Sequence, residues 1–392
     1  MPGHTAGDIG RRIATARRAR RMTQAELGHA SYVSYHTIRS IERGARMPSD
    51  DTLDSIAAAL HTDPSRLLGG YRPTRPVHDA LPALSEAIAA YDVPDDGPVR
   101  PLAELRVAVD EVVGWRLAAQ YLRIATALPP LLAELLRALD IAAPGDRPAV
   151  ARMLVAAFRA ADAVAYKNGA RDLSARLIEL MRWAATPAED PLILAGVAYV
   201  RTETFFAARA HAAGLRALQH AIDAAPSPDA PAAAAAVGAL HMRAAVIAGR
   251  AGDGAAADAH LTEAHRLGDS VAEGTYSGTA FGPCSVRIHE VSVAVSLGSE
   301  HSGRALDVAR EWKPGSEVPA ERRSGFYIEL ARAQLWAGLR DDAFESLKVA
   351  RRIAPQHARE HPWAREDAAT LRRLARSDNE SLTSFAEWVG AV

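Results

Sequence analysis

The eleven residues from Ser34 to Gly44, Ser-Tyr-His-Thr-Ile-Arg-Ser-Ile-Glu-Arg-Gly, hold the chain's densest set of side chains able to recognise another molecule. Tyr35, His36, Arg39, Ser40 and Arg43 offer hydroxyl, imidazole and guanidinium groups, the kinds of donor and acceptor that read base edges and grip phosphates. Ile38 and Ile41 lie three apart and would turn inward together, leaving those polar groups outside. Ser34 suits an N-cap and Gly44 the left-handed position after a helix. Such a short helix fits a DNA major groove, and the stretch reads as a recognition helix.

Bond-making chemistry is poorly supported. Cys284 follows a Gly-Pro turn, but no Cys/His/Asn arrangement can be assigned, and it reads as a buried structural thiol. His357 and His361 are four apart, as metal ligands on one helix face would be. They lack the Glu of an H-E-x-x-H motif, and Pro362 follows, so no metal is expected. His260 and His265, five apart, do not share a face well. Neither a phosphate-binding loop, a dinucleotide fingerprint nor a G-x-S-x-G elbow occurs, and no enzyme activity or cofactor is expected.

Several elements must position the recognition helix. Ile9, Ile13 and Ala16 are spaced for a helix over 9–20 with arginines on its other faces. Thr23-Gln24-Ala25-Glu26 is a capping box that starts a second helix running to about Ala30, and a short turn leads to Ser34. Two helices joined this way make a helix-turn-helix. Pro48-Ser49 opens a fourth helix carrying Leu53, Ile56, Ala57 and Leu60, and Asp63-Pro64 opens a short fifth that ends near Leu68.

Taken together, T-Q-A-E-L, V-S-Y-H-T-I-R-S-I-E-R-G and P-S-D-D-T-L-D-S-I-A-A-A-L-H-T-D-P-S-R-L-L resemble the repressor-type helix-turn-helix of the XRE (Cro/repressor-like) family over residues 9–68. The resemblance implies that Gln24 clamps a phosphate, that Tyr35, His36 and Ser40 read bases, and that Thr37 and Arg43 touch the backbone. It also implies a salt bridge between Arg17 and Glu42. Ser34 and Arg39 complete the expected DNA-binding set. Tyr32 stands where the family has Gly in the turn, and Gly28 where it has Ala. A tyrosine disfavours positive φ, which leaves the inter-helix angle open.

At 392 residues the chain needs more than one core. Residues 1–76 carry 12 Arg against 7 acidic residues, whereas the remainder carries 34 basic and 40 acidic ones. Only the N-terminal part has the sign of charge that approaches a phosphate backbone. No uninterrupted apolar run of membrane-spanning length and no signal peptide is read, and a single cysteine fits a reducing compartment. The expected location is cytoplasmic, with no membrane partner.

Tyr71 to Pro76 has two prolines and no apolar period, so the division is a head at 1–70, a linker at 71–77 and a body at 78–392. Helical patterns follow at about 78–91, 102–119 and 120–140, and Pro129-Pro130 is expected to begin or break a helix. No useful β alternation appears, so the body reads as all-helical. Residues 324–355 resemble a tetratricopeptide unit, with Tyr327, Leu330, Ala331, Gly338, Ala343, Leu347, Ala350 and Pro355 at its signature positions. A weaker copy has Ala245, Gly252, Ala257, Leu261 and Ala264, and further turns are expected near Gly169, Arg209 and Gly298. The resulting steps of 40, 43, 46 and 40 residues exceed the tetratricopeptide period of about 34.

The expected fold class is therefore all-α: a five-helix repressor-type helix-turn-helix head followed by a tetratricopeptide-like α-solenoid. Projecting that register places Arg159, Tyr166, Tyr199, Glu203, Met242, Ile288, Ser292, Arg332 and Trp336 on the inner surface, suited to a peptide or small amphipathic effector. The Gly-rich stretch 274–287 either joins two repeats or lines a pocket, and joining is the favoured role. The arrangement, including F-G-P-C-S-V-R-I-H, resembles a group of actinobacterial regulators. The expected function is a cytoplasmic transcription factor on a double-stranded operator, and a homodimer is expected because one small head reads only a few base pairs. The alternative is an interaction adaptor or anti-activator with weak, non-specific DNA contact.

Overall fold

The computed structural model describes residues 5–60, 62, 67, 76–374 and 380–391, with the side chains of Asp50 and Glu380 left aside. The chain forms two compact units, Met1–Asp79 and Ala80–Val392.

The first unit contains α1 (Ala6–Ala19), α2 (Gln24–Ala30), α3 (Tyr35–Glu42) and α4 (Asp50–Ala59). Each start is chemically specified. Thr5 with Asp8 and Thr23 with Glu26 form reciprocal capping boxes, while Ser34 and Ser49 accept from Thr37 N–H and Thr52 N–H. Ile9, Ile13, Leu27, Ile38, Ile41, Leu53, Ile56 and Leu60 close one core, joined by Leu67. Leu67 is helical, whereas Asp63-Pro64 and residues 71–75 of the expected linker lie outside the described residues. Pro76 and Val77, assigned to the linker from sequence, instead begin α5 (Pro76–Ala87), because a proline fits the first turn of a helix.

Tyr32 does adopt the left-handed conformation, with φ 55°, and is 98% exposed. Its ring meets no neighbour there, so the turn keeps its shape at the cost of local strain alone. Gly28 has a stronger reason. A Cβ at that position would lie 2.7 Å from the Val33 carbonyl oxygen, a backbone atom that the turn holds in place.

The body consists of consecutive helix pairs. They are α6 (Leu102–Leu117) with α7 (Tyr121–Asp140), α8 (Arg147–Lys167) with α9 (Arg171–Ala188), and α10 (Pro191–Ala208) with α11 (His211–Asp223). These are followed by α12 (Pro231–Arg250) with α13 (Gly254–Gly268), α14 (Pro283–Leu297) with α15 (Ser302–Glu311), and α16 (Ala320–Trp336) with α17 (Arg340–Ile353). The chain ends in α18 (Pro355–Glu360), α19 (Pro362–Leu374) and α20 (Glu380–Val389). Gly169, Arg209, Gly252, Gly298 and Gly338 all have positive φ and turn the chain within their pairs. Small Ala331, Ala343 and Ala350 are fully buried where α16 meets α17. Helix α12 is long and apolar enough to cross a membrane, but 78% of that apolar stretch is buried inside the protein.

Two expectations are corrected. Pro129 and Pro130 do not break α7, which runs uninterrupted over 20 residues. An internal proline costs about 3 kcal/mol. Burying Ile124, Leu128, Leu131, Leu132, Leu135 and Leu136 at about 1.5–3 kcal/mol each outweighs both. The body keeps its expected all-α class, but one short β-hairpin interrupts the helices. Residues 274–281 form a hairpin of β1 (Gly274–Tyr276) and β2 (Thr279–Phe281), paired Gly274 to Phe281, Thr275 to Ala280 and Tyr276 to Thr279. Ser277 and Gly278, with φ 45° and 76°, make its two-residue turn. Phe281 is fully buried against α12 at Gly238, where a Cβ would stand 2.0 Å from its ring.

Gly28→Ala is expected to destabilise the helix-turn-helix by roughly 1–2 kcal/mol, since the backbone clash exceeds the helix-propensity gain of about 1 kcal/mol. Hydrogen exchange at the α2 and α3 amides of the full chain, compared with wild type, checks this.

Candidate nucleic-acid interface and effector cavity

In the first unit one ion pair sets the position of α3. Arg17 of α1 donates from Nε and Nη2 to the two carboxylate oxygens of Glu42 at 2.7 and 2.9 Å, and from Nη1 to the Met22 carbonyl at 2.6 Å. The two side chains are 10% and 5% exposed, so this bidentate pair ties the last turn of α3 to α1. Gln24 Nε2 also donates to Glu42 at 2.7 Å, which leaves one amide N–H of the expected phosphate clamp for other use. Burial alone would raise the Glu42 carboxyl, but the hydrogen bonds from Arg17 and Gln24 outweigh it and hold it below its ordinary value.

With the isoleucines inward, Ser34, Tyr35, His36, Arg39 and Arg43 are exposed, and Thr37 and Ser40 are half-buried. Tyr35 and His36 meet edge to face at 5.5 Å between ring centres. Thr37 Oγ1 lies 2.9 Å from Ser34 Oγ, so its hydroxyl is engaged at the cap. The result is a polar, aromatic and cationic face on a short, capped helix.

The body holds a cavity of about 200 Å³ lined by residues from the first helix of successive pairs: Arg116 on α6, Arg159 on α8, Tyr199 on α10, Arg243 on α12, Ser292 on α14 and Arg322 on α16. Six cationic side chains, these four arginines with Lys167 and Arg250, face four carboxyl groups, Asp162, Glu203, Glu321 and Glu329. Lys167 Nζ is 2.9 Å from Glu321, Arg243 is 3.6 Å from Glu203, and Ser292 donates to Glu329 at 2.5 Å.

Burial raises Asp162 well above the ordinary carboxylate range, and neighbouring Glu203 adds to it, which favours its protonated form. Glu321 moves the other way: burial would raise it, but Lys167 and the other nearby cations pull it well below its usual value. His357 is pushed to about 3 by burial and Lys167, and burial with Arg322 holds His289 well below its ordinary value. His289 is fixed as a neutral ring whose Nδ1–H donates to the Ser285 carbonyl at 2.8 Å and whose Nε2 accepts from Arg322 at 3.3 Å.

Tyr199 stands among the guanidiniums. Arg243 lies 4.4 Å over its ring, Arg322 and Arg159 approach at 5.8 and 5.9 Å, and Arg322 Nη2 donates to the phenol oxygen. Burial would raise this phenol, but Arg243 and Arg322 more than offset it and bring it to about 8. The hairpin forms part of the wall. Arg159 donates to Ser277 O at 3.1 Å and Thr279 Oγ1 at 2.7 Å, and Arg116 to Gly278 O at 2.6 Å. Of the two roles open to this stretch, joining repeats and lining a pocket, it has both, since Gly278 and Ala280 line the cavity.

Of the nine residues projected onto the inner surface, Arg159, Tyr166, Tyr199, Glu203, Ile288 and Ser292 line this cavity and Met242, Arg332 and Trp336 do not. Met242 is fully buried in the core. Arg332 is held by Asp367 at 2.9 Å and stacks 4.6 Å over Trp363, and Trp336 is 40% exposed near the end of α16. Sequence reasoning missed Arg116, Asp162, Lys167, Arg243, Arg250 and Arg322. The available signal was charge set three or four residues from a projected site on a mainly apolar helix, as with Asp162 beside Arg159. Cys284 is half-buried, not fully buried, with Sγ 3.7 Å from Glu317. Among the described residues, no group of three or more His, Cys, Asp or Glu side chains could hold a metal ion.

Because Glu42 has a lowered pKa when folded, its contribution to stability is complete above its unfolded pKa of about 4.3 and is lost as pH falls through the folded value. Protection of head amides from hydrogen exchange should fall in that acid window, and Glu42→Gln should remove part of the dependence. Separately, an ultraviolet absorbance titration is expected to show one tyrosine ionising near pH 8, absent from Tyr199→Phe.

Residues 13–67 match the model of a helix-turn-helix family. No curated protein matches the chain. Among solved structures, it is similar to Bacillus thuringiensis PlcR in complex with the peptide PapR7 and DNA, with a TM-score of 0.28, 15% identity, and coverage of 67% of this chain and 95% of that one. It is also similar to the apo competence regulator ComR from Streptococcus vestibularis, with a TM-score of 0.28, 12% identity and 98% of each chain covered. For apo ComR from S. thermophilus the TM-score is 0.16, with 13% identity over 94% of this chain and 100% of that one. The segment from Ile13 to Leu67 is a helix-turn-helix DNA-binding domain.

Proposed function

We propose that the protein is a sequence-specific transcriptional regulator whose head reads an operator through α3 and whose helical body binds an effector in its charged cavity. The observation that carries the reading is the exposed face of Tyr35, His36, Arg39 and Arg43 on a helix fixed by the Arg17–Glu42 pair. In this reading Tyr35, His36 and Ser40 contact base edges, and Gln24, Ser34, Thr37, Arg39 and Arg43 hold the backbone. A single head of this size reads few base pairs, so two copies act together, and linking them raises affinity through effective concentration. The body supplies the pairing surface. Its cavity draws one wall from each of several helix pairs, so an occupant engages many repeats at once.

Selection of bound sequences from a random DNA pool tests the regulator. A defined, two-part motif is expected. Arg43→Ala should weaken binding to all sequences and lower the salt slope by about one, while Tyr35→Ala or Ser40→Ala should change the preferred bases. Binding without preference over random DNA at every salt concentration overturns the reading.

A further inference from the structure

Burying one guanidinium without a carboxylate costs several kcal/mol, and placing several together adds repulsion. Arg116, Arg159 and Arg322 nevertheless converge in the body with no ion-pair partner among the described residues. Their partners are neutral: hairpin carbonyl and hydroxyl oxygens for Arg116 and Arg159, and the Tyr199 phenol and His289 ring for Arg322. Arg116 is 8% exposed, and its buried Nε has no hydrogen-bond partner at all. A second cavity, of about 300 Å³, meets the first at Arg116, Arg159, Val200 and Gly278. Val113, Val155, Met181, Ile193 and Val197 form the apolar part of its lining, with Asp110, Arg152 and Asp190 also on its wall.

Resting on the effector reading above, we propose that Arg116, Arg159 and Arg322 bind the carboxylate or phosphate head of a small organic anion whose apolar remainder occupies the second cavity. The planar forks of arginine match both head groups, and a charged acceptor makes stronger hydrogen bonds than the neutral carbonyls now engaged. The head would compete with Ser277 O and Gly278 O for the same donors, so binding loosens the hairpin tip from α6 and α8. That hairpin connects α13 to α14, which gives the ligand a mechanical route to the packing of successive repeats.

Calorimetry and thermal melting of the full chain at neutral pH test this with four probes: hexanoate, hexyl phosphate, hexanol and inorganic phosphate. At least one of the two hexyl anions should bind and raise the melting temperature, and which one does so identifies the head group. Hexanol and inorganic phosphate should each bind at least about tenfold more weakly than that anion. Arg159→Gln should weaken the anion about tenfold or more and leave hexanol unchanged. If Arg159→Gln fails to fold, Arg159→Lys, which keeps the charge but not the fork, should still show a several-fold loss. Binding by neither hexyl anion, binding of hexanol or inorganic phosphate as tight as that of the preferred hexyl anion, or undiminished anion binding by the Arg159 variant overturns the proposal. These measurements involve no DNA, so absence of anion binding leaves the operator reading standing, and absence of operator preference leaves the anion result standing.

Discussion

A helical body that buries charge must either pair it or hold it with dipoles, and the cavity between the first helices of successive pairs is where this chain meets that constraint. Lys167 with Glu321 and Arg243 with Glu203 are paired. Arg116, Arg159 and Arg322 are held by neutral oxygens and a ring nitrogen instead. Each partner lies on a different element from its cation, so the helix pairs cannot shift independently without exposing a buried charge. The small alanines at the pair contacts, the left-handed turns and the deep seat of Phe281 against Gly238 all serve to bring those elements close enough.

The head solves a smaller version of the same problem. Its core is apolar, and among the described residues one buried pair, Arg17 with Glu42, joins α1 to α3. Removing one partner of a buried pair costs about 3–5 kcal/mol, a large share of a small domain's stability. The pair therefore does more to place the polar face of α3 than the exposed residues that form it. Tyr32 shows the complementary case, in which an unfavourable backbone conformation persists because its side chain points into open solvent.

Local chemistry made much of this legible beforehand. The capping boxes at Thr23 and the cap at Ser34 act within one turn, and the inward isoleucines follow from helical spacing. Gly169, Gly252 and Gly338 mark turns through their own backbone freedom. Where a local signal opposes distant packing, the packing wins. Pro129 and Pro130 carry a local signal to stop, and only the apolar burial along α7 decides against it. The hairpin at 274–281 has three residues per strand, too few for alternation to register. Register projected from one good repeat reached Arg159 and Tyr199 but carried Met242 into the core and Arg332 to an acidic partner outside the cavity.

By itself, then, the amino-acid sequence determined where helices start and turn, which face of α3 is polar, and that a basic head precedes a more acidic body. Those properties depend on neighbours a few residues away. Only the tertiary structure decided which buried charges share a cavity, because Arg116 and Gly278 are 162 positions apart and Tyr199 and Arg322 are 123 apart. No periodicity spans such distances; packing of whole helix pairs sets them, and the desolvation of the charges then follows from where the helices meet.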